Sequence, residues 1–195
     1  MKKIPSATFV GLLLAAGTML WAQEQKAPEG MTRPMPKFGP ELAKLSFLAG
    51  NFSTENVAYP SPMSKGGSGK GRNMNRWELD SLFLVFNYEG EIAGLGSYKG
   101  KGLFSYDGKD SKYKCWWFDS FGSNVFYQGN FIGDTLVLEG EIPLPQGSLK
   151  EKIMWHPEGK KVKFRMVWDM GQGPMPVMEE TATPSGMAGK NGKKK

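Results

Sequence analysis

The chain has 195 residues, 39% of them hydrophobic, and a formal net charge of +6. Two lysines near the start and four in the last six residues account for that charge, because residues 23–189 hold 19 basic and 19 acidic side chains (25 minus 6 against 19). A nucleic-acid-binding domain carries its positive charge on its folded surface, so the neutral central region argues against that class of protein.

The N-terminus has the pattern of a secretory signal peptide. Lys2 and Lys3 precede the apolar segment FVGLLLAAGTMLWA, which is short for a membrane span and is followed at once by polar residues. No cysteine lies directly after this segment, which argues against a lipoprotein anchor. We expect residues 1–22 to be removed and the mature protein to be periplasmic or secreted. An uncleaved anchor is the alternative, because Leu20 is large for its place before the cleavage site.

Residues 23–40 are polar and rich in proline, which is typical of a linker. The glycine run SKGGSGKGRN (residues 64–73) then resembles a phosphate-binding loop. It has Ser64 where that loop needs glycine, Gly71 where it needs a hydroxyl, two prolines before it and no amphipathic helix after it. We therefore expect no nucleotide, and interpret the run as a flexible connection that enters a strand near Gly69.

Apart from a short helical turn in PELAKLSFLAG (residues 40–50), the central region predicts only β-strands. The clearest strand is KVKFRMVWD, in which Val162, Phe164, Met166 and Trp168 alternate with charged residues. This period of two describes a sheet with one buried face and one solvated face.

Three turn signals pair neighbouring strands into hairpins. The predicted pairs are 97–106 with 112–119 through Asp107-Gly108, 124–131 with 135–142 through Gly133-Asp134, and 149–156 with 161–169 through Pro157–Gly159. Consecutive hairpins predict an all-β fold, an antiparallel up-and-down barrel of about eight to ten strands. Glycines at 94–102 are interpreted as bends that let the sheet curl.

The predicted domain spans residues 41–182, enough for one core and too few for two. From about Thr181 onward the chain lacks the apolar residues that would offset ordering entropy, so we predict a disordered basic tail over 183–195. Such a tail would contact anionic surfaces weakly.

Several segments resemble known families. LSFLAGNFSTE (residues 45–55) is similar to the opening of calycin-type barrels, with Phe52 in place of the tryptophan that plugs the closed end. LAGNF, GGSGKG, LDSLFLVFNYEG, GKGLFSYDGKDSKYKCWWFDS and GDTLVLEGE together resemble domain of unknown function 1579, a family of mostly exported bacterial proteins. The resemblance implies export and a β-barrel-like fold, and it implies no reaction.

Residues that often carry chemistry are few. Cys115 is the only cysteine and is predicted to be a buried, inert thiol, or else an exposed thiol that joins two chains. His156 lies in a predicted turn, and we expect it to be a polar residue on the surface. Methionine has two alternative roles here, as a ligand of Cu(I) or as a filler of gaps in apolar surfaces. The methionines concerned are Met31, Met35, Met170, Met175 and Met178. We expect no metal or cofactor.

Aromatic residues are the richer set, and they either fill the barrel or line a cavity in it. The predicted ligand-binding residues are Trp77, Phe86, Tyr88, Tyr106, Trp117, Asp119, Phe126, Glu151, Phe164 and Trp168, with Arg76, Glu78 and Ser120 as further polar candidates. Whether Trp116 or Trp117 faces inward stays open. Glu151 shares a face with apolar residues and needs a partner or a shifted pKa.

Three functions remain open on this basis. The first is a carrier or sensor of a small apolar molecule. The second is a barrel enzyme, a hydrolase or isomerase, that uses Asp119, Glu151 or His156 as acid or base. The third is a filled-core structural or adhesive protein.

Overall fold

The computed structural model describes residues 37–61, 64–92, 94–145 and 147–186. A helix α1 (Pro40–Ala43) runs into a 3₁₀ turn (Lys44–Leu48), and ten strands follow. The strands are β1 (Gly50–Ala58), β2 (Gly67–Glu78), β3 (Phe83–Ile92), β4 (Gly96–Asp107), β5 (Lys112–Asp119), β6 (Asn124–Ile132), β7 (Thr135–Leu144), β8 (Gly147–Glu158), β9 (Lys161–Asp169) and β10 (Pro174–Pro184). The predicted signal peptide, residues 23–36 of the linker and residues 187–195 of the tail lie outside the described residues.

The strands form one closed antiparallel barrel in which each strand pairs with its neighbours in sequence and β1 pairs with β10. Phe52 lies opposite Pro184, and Ala58 lies opposite Met178. The predicted barrel and all three predicted hairpins are confirmed, since β4 pairs with β5, β6 with β7 and β8 with β9. Closure leaves none of the ten described strands with an edge open to another chain. No helix in the described ranges is long and apolar enough to cross a membrane.

One end of the barrel is covered by α1 and the 3₁₀ turn. Leu42, Leu45 and Leu48 are buried there, because a helical turn places side chains three apart on one face. The hydroxyl of Tyr113 on β5 donates a hydrogen bond to the backbone oxygen of Glu41 at 2.9 Å. The connections after β1, β3, β5, β7 and β9 lie at the opposite end, which has no such cover among the described residues.

The half of the barrel nearest the helix is filled. Phe104 is 0% exposed, and its ring centroid lies 6.0 Å from that of Phe86 and 5.3 Å from that of Trp155. Cys115 is also buried, which confirms the predicted buried thiol, and burial raises the pKa of that thiol.

The glycine run enters β2 at Gly67, two residues before the predicted entry near Gly69. A Cβ at Gly71 would lie 2.6 Å from the hydroxyl oxygen of Tyr88, so the strand needs glycine there. Two local predictions are wrong. His156 lies within β8 and not in a turn. The tail does not begin at residue 183, since Thr183 and Pro184 pair with β1 and the Ser185 backbone N–H donates to Asn51.

Candidate functional site

A cavity of about 290 Å³ occupies the half of the barrel away from the helix, and it opens at the uncovered end. Its walls are mostly aromatic and aliphatic. Among the predicted ligand-binding residues, those that line it are Phe86, Tyr88, Trp117, Asp119, Glu151, Phe164 and Trp168. A cavity of about 150 Å³ with apolar walls is large enough to bind benzene. This one therefore has room for a two-ring molecule.

The other three predicted residues lie away from the cavity. The ring of Trp77 packs edge-on against Phe38 at 5.2 Å, and the ring of Tyr106 packs against Tyr113 at 5.0 Å. Phe126 is 41% exposed on the outer face, where its ring contacts Trp116 at 5.3 Å. The further polar candidates also line no part of the cavity: Arg76 and Glu78 form a surface ion pair, and Ser120 accepts a hydrogen bond from the Lys99 backbone.

The β5 strand places Trp117 inward and Trp116 outward, which answers the question that the alternation left open. The indole ring of Trp117 lies over β4 because Gly100 and Gly102 present no side chain to it. A Cβ at Gly100 would lie 2.2 Å from a ring carbon of Trp117. Trp117 donates to the hydroxyl of Tyr98 at 2.9 Å, and that hydroxyl donates to Asp119 at 3.3 Å. These glycines therefore make space for one wall of the cavity.

Gly100→Ala is expected to lower the free energy of unfolding by about 1–3 kcal/mol, because the added methyl group overpacks the wall and displaces the Trp117 ring. Urea denaturation followed by circular dichroism measures the loss. Gly108→Ala is the matched control, since a Cβ there meets no heavy atom within 4 Å and its φ is not positive. Equal midpoints for the two variants would contradict the close approach.

Glu151 on β8 is a buried carboxylate held by side chains from two other strands. It is 4% exposed, the hydroxyl of Tyr127 on β6 donates to Oε1, and the indole N–H of Trp168 on β9 donates to Oε2 at 2.5 Å. Burial raises the pKa of Glu151, while the two donors oppose that rise. Each carboxylate oxygen already accepts a hydrogen bond from the protein, so Glu151 ties three strands together at the cavity wall.

Glu180 on β10 is a second buried carboxylate, and the sequence analysis missed it. It is 7% exposed, and its Oε1 accepts a hydrogen bond from Nδ2 of Asn73 at a long 3.4 Å. Burial raises the pKa of Glu180 to about 7. The hydroxyl of Tyr88 lies nearby and accepts a hydrogen bond from Nδ2 of Asn56 at 3.0 Å. A carboxyl group that titrates near neutral pH therefore lines an apolar cavity.

Acidic side chains are the only ionisable ones besides tyrosine among the described residues that line the cavity. They are Asp119, Glu151 and Glu180, and no lysine, arginine or histidine joins them. His156 is exposed outside the barrel, where its ring nitrogen Nδ1 lies 3.1 Å from the hydroxyl of Thr135. The described residues hold no group of three His, Cys, Asp or Glu side chains suited to a metal ion.

Comparison with known proteins gives the family and the fold. The family model described as "Protein of unknown function (DUF1579)" matches residues 39–183. Among solved structures, the crystal structure of Rv2717c from M. tuberculosis matches at 13% identity and a TM-score of 0.56, over 77% of this chain and 100% of that one. That likeness concerns the fold alone. The comparison with curated proteins found no match.

Proposed function

The chain belongs to the DUF1579 family, and we propose that it binds a small, largely apolar molecule in the open half of the barrel. The observation that carries the proposal is the cavity of about 290 Å³, which has apolar walls and opens at one end. Ligand sites are concave and mostly apolar, with a few polar groups that fix orientation. The proposed place of action is outside the cytoplasm, and it rests on the sequence pattern of residues 1–22.

The contrast between the two halves of the barrel supports binding over a structural role. Phe104 and its neighbours fill the covered half, apart from one void of about 10 Å³. The open half keeps its large side chains, Trp117 and Trp168 among them, along the walls. A filled barrel would direct such rings across the interior, since close packing is the rule in protein cores.

The placement of the candidate acids and bases favours a carrier over a hydrolase or isomerase. His156 lies on the outer face, so it does not meet Glu151 in the cavity. Both oxygens of Glu151 accept hydrogen bonds from Tyr127 and Trp168. These bonds hold the carboxylate against the wall, whereas a general base must lie within hydrogen-bond distance of the proton that it removes.

The proposal predicts that a neutral two-ring probe, 1-ethylnaphthalene, binds the protein and that filling the cavity abolishes this binding. Val125 is a small inward residue on the cavity wall, and Val125→Trp adds a ring to that space. We expect the affinity for the probe to fall at least about tenfold, a loss of about 1.4 kcal/mol in binding. Isothermal titration calorimetry gives both dissociation constants.

Gln128→Trp is the matched control, because Gln128 is an exposed residue on the outer face of the same strand. This variant adds the same ring without entering the cavity, so the probe should bind as it does to the unmodified protein. Equal affinities for the two tryptophan variants would place the probe elsewhere and contradict the proposal.

A further inference from the structure

One wall of the cavity carries polar groups that the proposed binding of an apolar molecule does not use. Glu180 faces the cavity from β10, and Asn73 on β2 lies against it. Asn73 is 3% exposed and Asn56 is 1% exposed. The Oδ1 atom of each accepts no hydrogen bond from any of the described residues. A buried acceptor without a donor is unfavourable, so a donor that reached Oδ1 of Asn73, which borders a small void, would stabilise this wall.

A small void of about 10 Å³ lies beside these groups, and both Asn73 and Glu180 line it. That volume is close to the minimum that holds one water molecule. Since Glu180 also lines the main cavity, it borders both spaces. A donor on a molecule in the cavity therefore meets Glu180 first, and the void behind it leaves Asn73 room to turn.

The two buried glutamates differ in the hydrogen bonds that the protein already donates to them. Glu151 accepts from Tyr127 and from Trp168, one donor for each oxygen. Among the described residues, Glu180 accepts one long bond, from Asn73, and the hydroxyl of Thr54 is a second donor close by. Glu180 is therefore the carboxylate with capacity for a further donor. Phe164 lies directly opposite it on β9, and an aromatic ring beside a carboxylate suits an organic cation.

The charge of the cavity points to the same class of molecule. Its described lining has three carboxyl groups and no basic side chain. A bound carboxylic acid would bring a fourth acid into this low-dielectric space without a cation to meet it. A protonated amine would bring the missing opposite charge and up to three donors.

We propose that Glu180 and Asn73 form a subsite for the hydrogen-bond-donating end of the ligand, and that the cavity takes apolar amines in preference to carboxylic acids. This inference rests on the proposed function, since it assumes that the apolar part of the ligand lies in the cavity.

Three probes of one shape test it: 1-ethylnaphthalene, 1-naphthylmethylamine and 1-naphthoate, titrated by calorimetry at pH 8. Burial raises the pKa of Glu180 to about 7, so the carboxyl group is ionised at this pH. We expect the amine to bind at least about tenfold more tightly than ethylnaphthalene, and naphthoate at least about tenfold more weakly. Glu180→Gln should bring the amine and ethylnaphthalene to within about threefold of each other.

Ethylnaphthalene binding by Glu180→Gln reports that the variant is folded with its cavity intact. Glu179→Gln is the matched control, because Glu179 is the next residue and pairs with Arg165 on the outer face; it should keep the full preference for the amine. If ethylnaphthalene binds and the amine binds no better, or if the preference survives Glu180→Gln, the subsite is wrong while the proposed function stands. If no probe binds, both the subsite and the proposed function are wrong.

Discussion

Phe104→Ala is expected to lower the free energy of unfolding by about 3–5 kcal/mol, the usual loss for a large aromatic residue removed from a packed core. Phe104 is fully buried between Phe86 and Trp155, so the removed ring leaves a space that its neighbours cannot close. Phe164→Ala should lower it clearly less, by about 1–2 kcal/mol. Phe164 is half-buried, and part of its ring already faces the cavity.

Urea denaturation of both variants measures this difference. Phe118→Ala is the control, because Phe118 is an exposed aromatic residue on the outer face of β5 and its removal should change stability by less than about 0.5 kcal/mol. Phe164→Ala should also weaken the binding of 1-ethylnaphthalene. Losses of the same size for Phe104→Ala and Phe164→Ala would mean that the open half of the barrel is as tightly packed as the covered half.

Glu180→Gln is expected to stabilise the protein by about 3 kcal/mol at pH 8, and the gain should disappear by about pH 4.5. Burial raises the pKa of Glu180 from 4.5 to about 7, and this difference between the folded and unfolded protein corresponds to about 3 kcal/mol. Between these two pH values the folded protein holds a proton that the unfolded chain has lost. Stability therefore falls as the pH rises through this window, and it stays low above pH 7. Glutamine carries no such charge.

The neighbours of Glu180 do not titrate in the same window. Asn73 and Thr54 are uncharged, and burial raises the pKa of Tyr88 to about 12. Glu151 titrates in both proteins, so its contribution cancels in the difference. Asn73 has a free Oδ1 acceptor and can turn it toward the new amide.

Unfolding free energies at pH 4.5, 6, 7 and 8 test this pattern, with Glu179→Gln as the control that should show no gain. A loss of stability in Glu180→Gln at pH 8, or a gain that is the same at every pH, would show that Glu180 is not a desolvated carboxylate.

The fold was predictable wherever one face of a strand is apolar and the other polar. The alternation in β9 correctly placed Val162 and Phe164 inside, and Asp107-Gly108 correctly joined β4 to β5. In β5 and β6 both faces carry aromatic residues, so the period of two cannot distinguish them. That is why Trp117 and Trp116 stayed undecided and why Phe126 was assigned to the cavity wrongly.

Glu180 escaped prediction because the register of β10 shifts between Pro176 and Met178. A β-bulge of this kind reverses which residues face inward. Val177 and Met178 then both reach the cavity, and Glu180 faces inward while Glu179 faces out. The sequence around Glu180 thus shows no clean alternation to mark a buried acid.

The role of the glycines could not be predicted for a different reason. Glycine is depleted in strands, so the glycine run was interpreted as a connection that enters a strand only near Gly69, and Gly100 as a bend. In the barrel Gly71 lies under the hydroxyl end of Tyr88, and Gly100 lies under the ring of Trp117. The requirement comes from a residue on another strand, which local sequence patterns do not report.

Native mass spectrometry of the protein purified from its own host tests the central claim most directly. If the barrel binds a small apolar molecule, the protein should carry one bound molecule sized for a cavity of about 290 Å³. Val125→Trp prepared in the same way should lack it, and Gln128→Trp should retain it. A protein that carries no molecule, or one that Val125→Trp retains equally, would contradict the account.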